Sequence, residues 1–129
     1  MKNKNLYSES DKSQLLGIED PKLIVYELLN GLNLKLELTK KNLDKGDIEK
    51  AKKNALKAQN IAFALRSSLD RINGGEIAEN LDLLYGHIHF ATDKLIKNDK
   101  NDYINNAHYI SSEILSGWKG LVKKTAWCC

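Results

Sequence analysis

Histidine is the side chain best suited to acid–base, metal or phosphoryl chemistry near neutral pH, and this chain has three: His87, His89 and His108. His87 and His89 stand two positions apart. On a helix that spacing turns them roughly 200° from one another, so they cannot grip one metal ion. A carboxylate-bridged di-iron bundle needs Glu-x-x-His pairs, whereas Leu84, Gly86 and Asn105 precede the three histidines at that distance. The two cysteines, Cys128 and Cys129, are adjacent and terminal. Neighbouring cysteines bridge only through a strained ring, two thiols do not complete a zinc site, and a thiol so near a chain end has no enclosing pocket. Gly74-Gly75 is followed by no lysine and preceded by no strand, so it does not make a phosphate-cradling loop. No catalytic residue, metal site or cofactor is expected.

Bulk properties narrow the classes further. The chain of 129 residues and 14.6 kDa fits one domain, and 42% hydrophobic with 29% charged residues fits neither a disordered polyelectrolyte nor a membrane protein. The longest apolar run is Ile61 to Leu65, five residues, far below the roughly 20 that span a bilayer. The basic start, Met1 to Asn5, leads into no apolar segment, so no secretory signal is read and a cytosolic location is expected. Twenty Lys+Arg against 17 Asp+Glu gives a net charge of +3, and all but Arg66 and Arg71 of those cations are lysines spread along the chain. Nucleic-acid binders gather such charges on one face among aromatic residues, so nucleic acid is not an expected partner.

Punctuation and periodicity then set the elements. Asp20-Pro21 reads as an N-cap followed by the first helical position. Gly46, after Lys40, Lys41 and Lys45, closes that helix, and Asp47 caps the next. Asn73-Gly74-Gly75 closes the second helix, Glu76 and Glu79 open the third, and the polar break 98–102 precedes the fourth, beginning near Asp102. Ile48, Ala51, Ala55, Ala58, Ala62, Leu65, Leu69 and Ile72 form one stripe. Ile77, Leu81, Leu84, Ile88, Ala91 and Leu95 form another, and Ile104, Ala107, Ser111, Ile114, Trp118 and Leu121 a third. Such spacing with short connections predicts an all-α, antiparallel up-and-down four-helix bundle over 20–125. A short N-terminal arm or helix occupies 1–19, and a frayed tail 126–129.

The first helix contains a conflict. Leu32 to Leu38 alternates apolar and polar residues with the period of a strand. The Asp20-Pro21 start, the lysine-rich end and the absence of a second strand favour helix instead. Wound as a helix, Val25, Leu28, Leu29, Leu32, Leu36 and Leu43 share one stripe, and Leu23, Ile24, Leu34 and Leu38 fall on the opposite side. A helix apolar on two sides lies at the centre of a bundle or faces a partner.

Two family resemblances bear on function. Ala107-His108 resembles the start of histidine phosphotransfer modules, but Ser111 stands where those modules carry a lysine. The stronger one rests on Lys57-Ala58-Gln59-Asn60-Ile61, Leu65, Leu69-Asp70, Gly74 to Leu81, and Leu84-Tyr85. This block resembles the central signature of the bacterial flagellar secretion chaperones, the FliS family that escorts flagellin. Pro21 to Gly31 with Leu28 between, Trp118, and Asn5-Leu6-Tyr7 are similar to that family's first-helix motif, late tryptophan and N-terminal arm. Asp20 stands where the family has Ser or Thr, Leu28-Leu29 replaces Leu-Tyr, and the arm's second tyrosine is missing.

The resemblance implies a cytosolic chaperone that is not an enzyme. It would bind the disordered C-terminal segment of flagellin, prevent premature polymerisation and deliver the subunit to the flagellar type III export apparatus, whose gate components are further partners. A helical chaperone for another secreted substrate is the alternative, and the chain is expected to be a monomer or weak dimer. Expected partner-binding residues are Leu34 and Leu38 from the first helix, and Leu56, Ile61 and Phe63, displaced from the second stripe. Asn80, Leu84 and Tyr85 join them from the signature, with the Tyr85 ring suiting a half-exposed groove edge. Leu65, Leu81 and Leu84 also weigh toward core packing. Tyr7 belongs to an arm that, by the resemblance, folds over the groove when no partner is present.

Overall fold

The computed structural model describes residues 20–127, with side chains as far as Gly120. The expected arm with Tyr7, the pair Cys128-Cys129, and the side chains of Leu121, Lys123 and Lys124 lie outside the described residues. Among those described, the chain forms helices α1 (Pro21–Asp44), α2 (Ile48–Ser67), α3 (Gly75–Asn98) and α4 (Ile104–Trp127), and no strand. Each helix packs against two neighbours, α1 on α2 and α4, and α3 on α2 and α4. With the short turns between them, this makes an antiparallel four-helix bundle.

The helix ends follow from local chemistry. The Asp20 carboxylate accepts a hydrogen bond from the Lys22 amide at 3.0 Å, and Asp47 accepts from the Lys50 amide at 3.1 Å. Each satisfies an amide that the first helical turn leaves without a partner. Gly46 has φ +77, a left-handed conformation that lets α1 stop and α2 start within three residues. The residues from Leu32 to Leu38 are helical throughout, so burial of one stripe outweighs their period-two pattern.

The core consists of Val25, Leu29, Leu32 and Leu36 from α1, four alanines and Leu65 from α2, Tyr85, Ile88 and Leu95 from α3, and Ile104 and Ala107 from α4. Its buried hydroxyls all have partners: Thr39 donates to the Lys35 carbonyl at 2.8 Å and Thr92 to Ile88 at 3.0 Å. Ser111 donates to the Asn33 side chain at 2.8 Å, so α4 is tied to α1 by a polar contact inside the bundle.

Three expectations are corrected. The second stripe does not run to Ile72, because α2 stops at Ser67. Ser68 turns inward and donates to the Leu65 carbonyl, and Asp70 accepts from the Asn73 amide at 3.1 Å, drawing the backbone into a turn. Leu69 is still buried, and Ile72 is left 92% exposed. The α3 stripe is shifted by one position in its first half: Ala78 and Tyr85 are buried, while Ile77 and Leu84 are exposed. Both phases fit a helix, and the one adopted packs the Tyr85 ring into the core that the four buried alanines and Leu65 of α2 share. Ile24, placed on the outer side of α1, is 1% exposed, since it stands four residues before Leu28 on the edge of the buried stripe.

Candidate functional site

Two contacts define the seam between α1 and α2. A β-carbon on Gly31 would lie 3.4 Å from Ile61 Cδ1, and the Asn54 side chain donates to Asn42 at 2.7 Å. Leu38 lies seven after Gly31 and four before Asn42, so it shares the α2-facing side of α1. Leu34, three after Gly31, sits further out and is 49% exposed. Leu38 and Ile61 are half-buried. The missing side chain at Gly31 lets Ile61 settle against the α1 backbone.

On its other flank, α2 carries the ridge Leu56, Gln59, Phe63, Arg66, at spacings of three and four. Gln59 donates to the Thr92 hydroxyl at 3.3 Å and the His89 carbonyl at 3.4 Å, which places the ridge beside α3. Leu56 is 47% and Phe63 65% exposed. Below Phe63 lies a depression of ≈ 390 Å³ lined also by Arg66, Arg71, Tyr85 and His89. Its polar wall is tightly paired. Arg66 Nε donates to Asp82 at 2.7 Å, Arg71 stands 3.0 Å from the same carboxylate oxygen, and Arg71 also donates to the Arg66 carbonyl at 2.9 Å. Hydrogen bonding from Arg66 holds the Asp82 carboxyl below its ordinary range, with Arg71 adding to this and partial desolvation opposing it.

The sequence-predicted residues are therefore not gathered in one place. Leu34, Leu38 and Ile61 belong to the α1–α2 seam, and Leu56 and Phe63 to the α2–α3 ridge. Asn80 and Leu84 share a side of α3 with His87, whose ring contacts Asn106 of α4 at 3.1 Å, so they face the α4 flank. Tyr85 is fully buried, so it lines the depression below Phe63 from within the core and is not the half-exposed groove edge expected. Sequence reasoning missed Arg66 and Arg71 as a pair on Asp82. It also missed Leu83, 70% exposed, and Phe90, whose ring lies 5.0 Å from that of Tyr103. The α3 phase would have revealed Leu83 and Phe90 once Tyr85, seven residues before Thr92, was set inside.

The α1–α4 seam is the polar one. Asn33 Oδ1 accepts hydrogen bonds from Ser111 and Ser112, both at 2.8 Å. Lys40 Nζ stands 3.2 Å from His108 Nδ1. An ammonium has only protons to offer, so Nδ1 accepts and the imidazole is neutral. Burial pushes the His108 pKa down, the Lys40 charge adds to that, and Glu37 opposes it. Trp118 Nε1 donates to the Lys22 carbonyl at 3.0 Å, joining α4 to the start of α1. No group of three or more His, Cys, Asp or Glu suited to a metal occurs among the described residues, and no described helix is long and apolar enough to cross a membrane.

Fold and surface together define a class: an antiparallel four-helix bundle with a filled interior and apolar side chains left along both flanks of its second helix. The family described as "Flagellar protein FliS" matches residues 3–125, and the chain belongs to that family. It is also 32% identical over 115 residues to a flagellar secretion chaperone FliS of Vibrio cholerae serotype O1 (strain ATCC 39315 / El Tor Inaba N16961). That alignment covers 87% of this chain and 82% of the Vibrio protein.

Proposed function

We propose that the protein is a flagellar secretion chaperone that works in the cytosol. It binds the C-terminal segment of flagellin before assembly, prevents premature polymerisation and hands the subunit to the export apparatus. One observation carries this reading in a chain of this family: Leu34, Leu56 and Phe63 remain exposed on α1 and α2 although the interior is already filled by other residues. An unfolded amphipathic segment loses conformational entropy on binding and must recover it over a long apolar track. Side chains repeating at one-turn intervals supply such a track in the helix-in-groove mode. Leu34, Leu38 and Ile61 form one part of it, Leu56 and Phe63 another, with Asn80 and Leu84 on the α4 flank as a further contact. Binding energy alone performs the task, so no nucleotide or cofactor enters.

The test is direct. Flagellin from the same organism is mixed with the protein, and polymerisation is followed by light scattering and binding by calorimetry, with intact flagellin and with flagellin lacking its C-terminal segment. Binding of the intact chain, loss of binding after truncation and suppressed polymerisation are expected. Equal binding of both flagellins would refute the assignment of the segment.

A further inference from the structure

The α1–α2 seam carries a charge gradient as well as an apolar floor. The outer ridge of α1 reads Glu27, Gly31, Leu34, Leu38, Lys41, Lys45, at strict four–three spacing. Facing it, the α2 ridge reads Lys50, Lys53, Lys57, Asn60, Ala64. Because Gly31 meets Ile61 and Asn42 meets Asn54, Lys41, Lys45, Lys50 and Lys53 gather at one end, Lys57 follows toward the middle, and Glu27 lies at the other end. Between the two contacts the seam extends about 16 Å, from the rise of a helix per residue. Lys50, Lys53 and Lys57 are exposed and make no ion pair among the described residues. The same end also carries Asp44, the last residue of α1, and Asp47, whose carboxylate is engaged in capping α2 through the Lys50 amide at 3.1 Å. Glu37 pairs with Lys41 at 3.7 Å, and Glu49 lies on the outer face of α2.

We infer that this seam takes an amphipathic helix with acidic residues in its first turns, apolar anchors in its middle and a basic end, lying parallel to α2 and antiparallel to α1. Resting on the chaperone reading above, this assigns the guest its chemistry and direction. Charge complementarity sets the acidic end against Lys50, Lys53 and Lys57 and the basic end toward Glu27. The guest's own dipole favours acidic residues at its N-terminus and basic ones at its C-terminus, so the two preferences agree only in this orientation. Apolar Leu34, Leu38 and Ile61 between the charged ends select a peptide over a polyanion, which would leave them uncovered.

Two synthetic amphipathic helices of about 18 residues, equal in composition, decide the point. One carries Glu first and Lys last, and the other the reverse. The Glu-first peptide is expected to bind the full chain about tenfold more tightly at low salt, with the difference shrinking as salt rises. A nitroxide on its N-terminus should broaden the amide signals of residues 50–57. The double variant Lys53→Glu, Lys57→Glu, whose fold is checked by circular dichroism, should abolish or invert the preference. Equal affinity of the two peptides, broadening at residues 27–31 instead, or equally tight binding of duplex DNA or anionic vesicles would each overturn the inference. The flagellin C-terminal segment, measured in parallel, separates the two claims. Its failure to bind sinks the proposed function while the peptides still judge the seam. Its equal affinity for wild type and the double variant overturns the charge reading alone.

Discussion

The guanidinium of Arg66 lies across Gly86: a β-carbon at that glycine would stand 3.3 Å from both terminal nitrogens. The close approach lets Arg66 reach over α3 to Asp82 while the two helix backbones stay near each other. Alanine in place of a helical glycine ordinarily stabilises by about 0.5–1 kcal/mol. At Gly86 the new methyl crowds the Arg66 guanidinium, which must give by a few tenths of an ångström, and this cancels part of that gain. At Gly117, where nothing lies within 4 Å, the full gain is expected. Urea denaturation of Gly86→Ala and Gly117→Ala checks the difference. A Gly86→Ala variant at least as stable as Gly117→Ala would refute the packing argument.

Acidification should weaken the fold in two stages. His108 has a folded pKa below its ordinary 6.5, so the unfolded chain takes up the proton first. Its contribution is present above pH 6.5 and declines as pH falls from there toward the folded value. Asp82 is held below its ordinary 3.8. It adds stability that is present above that pH and lost as pH falls through the folded value. Asp82→Asn should therefore lower stability at neutral pH by a few tenths to about 1 kcal/mol, and flatten the deepest acid limb. His108→Asn should flatten the limb just below pH 6.5. Urea titrations at a series of pH values read both.

Phe63 and Leu65 are two residues apart and separate surface from core. Phe63 is 65% exposed and Leu65 fully buried. Phe63→Ser should change stability by no more than about 0.5 kcal/mol, while weakening capture of the flagellin segment severalfold. Leu65→Ala leaves a cavity and should cost about 2–5 kcal/mol. Thermal melts and calorimetry with the flagellin segment distinguish the two. Unimpaired binding by Phe63→Ser would remove that residue from the proposed surface.

Trp118→Phe keeps a ring against α1 but removes the donor to the Lys22 carbonyl. A loss of about 0.5–1.5 kcal/mol is expected, together with faster hydrogen exchange in the first turns of α1. Unchanged exchange there would show that this hydrogen bond does not anchor the helix.

The order of the helices was legible in the sequence because caps and stripes are local: Asp20-Pro21, Gly46-Asp47 and the alanine row of α2 act over one or two turns. The exposed positions of Leu34, Leu56 and Phe63 were legible for the same reason, each being out of phase with a complete stripe. The fate of Tyr85 was not. Leu84 and Tyr85 offer equally good helical phases, and only packing against the other helices, the alanine row and Leu65 of α2 among them, places the ring in the interior. Nor could spacing reveal that Arg66 and Arg71 meet at Asp82, or that Asn33 binds Ser111, since these pairs form only when separate helices are laid side by side. The sequence by itself determined which segments coil and where they stop, through forces acting within a few residues. Tertiary packing decided which of two competing faces turned inward, because filling a shared volume is a property of the assembled helices.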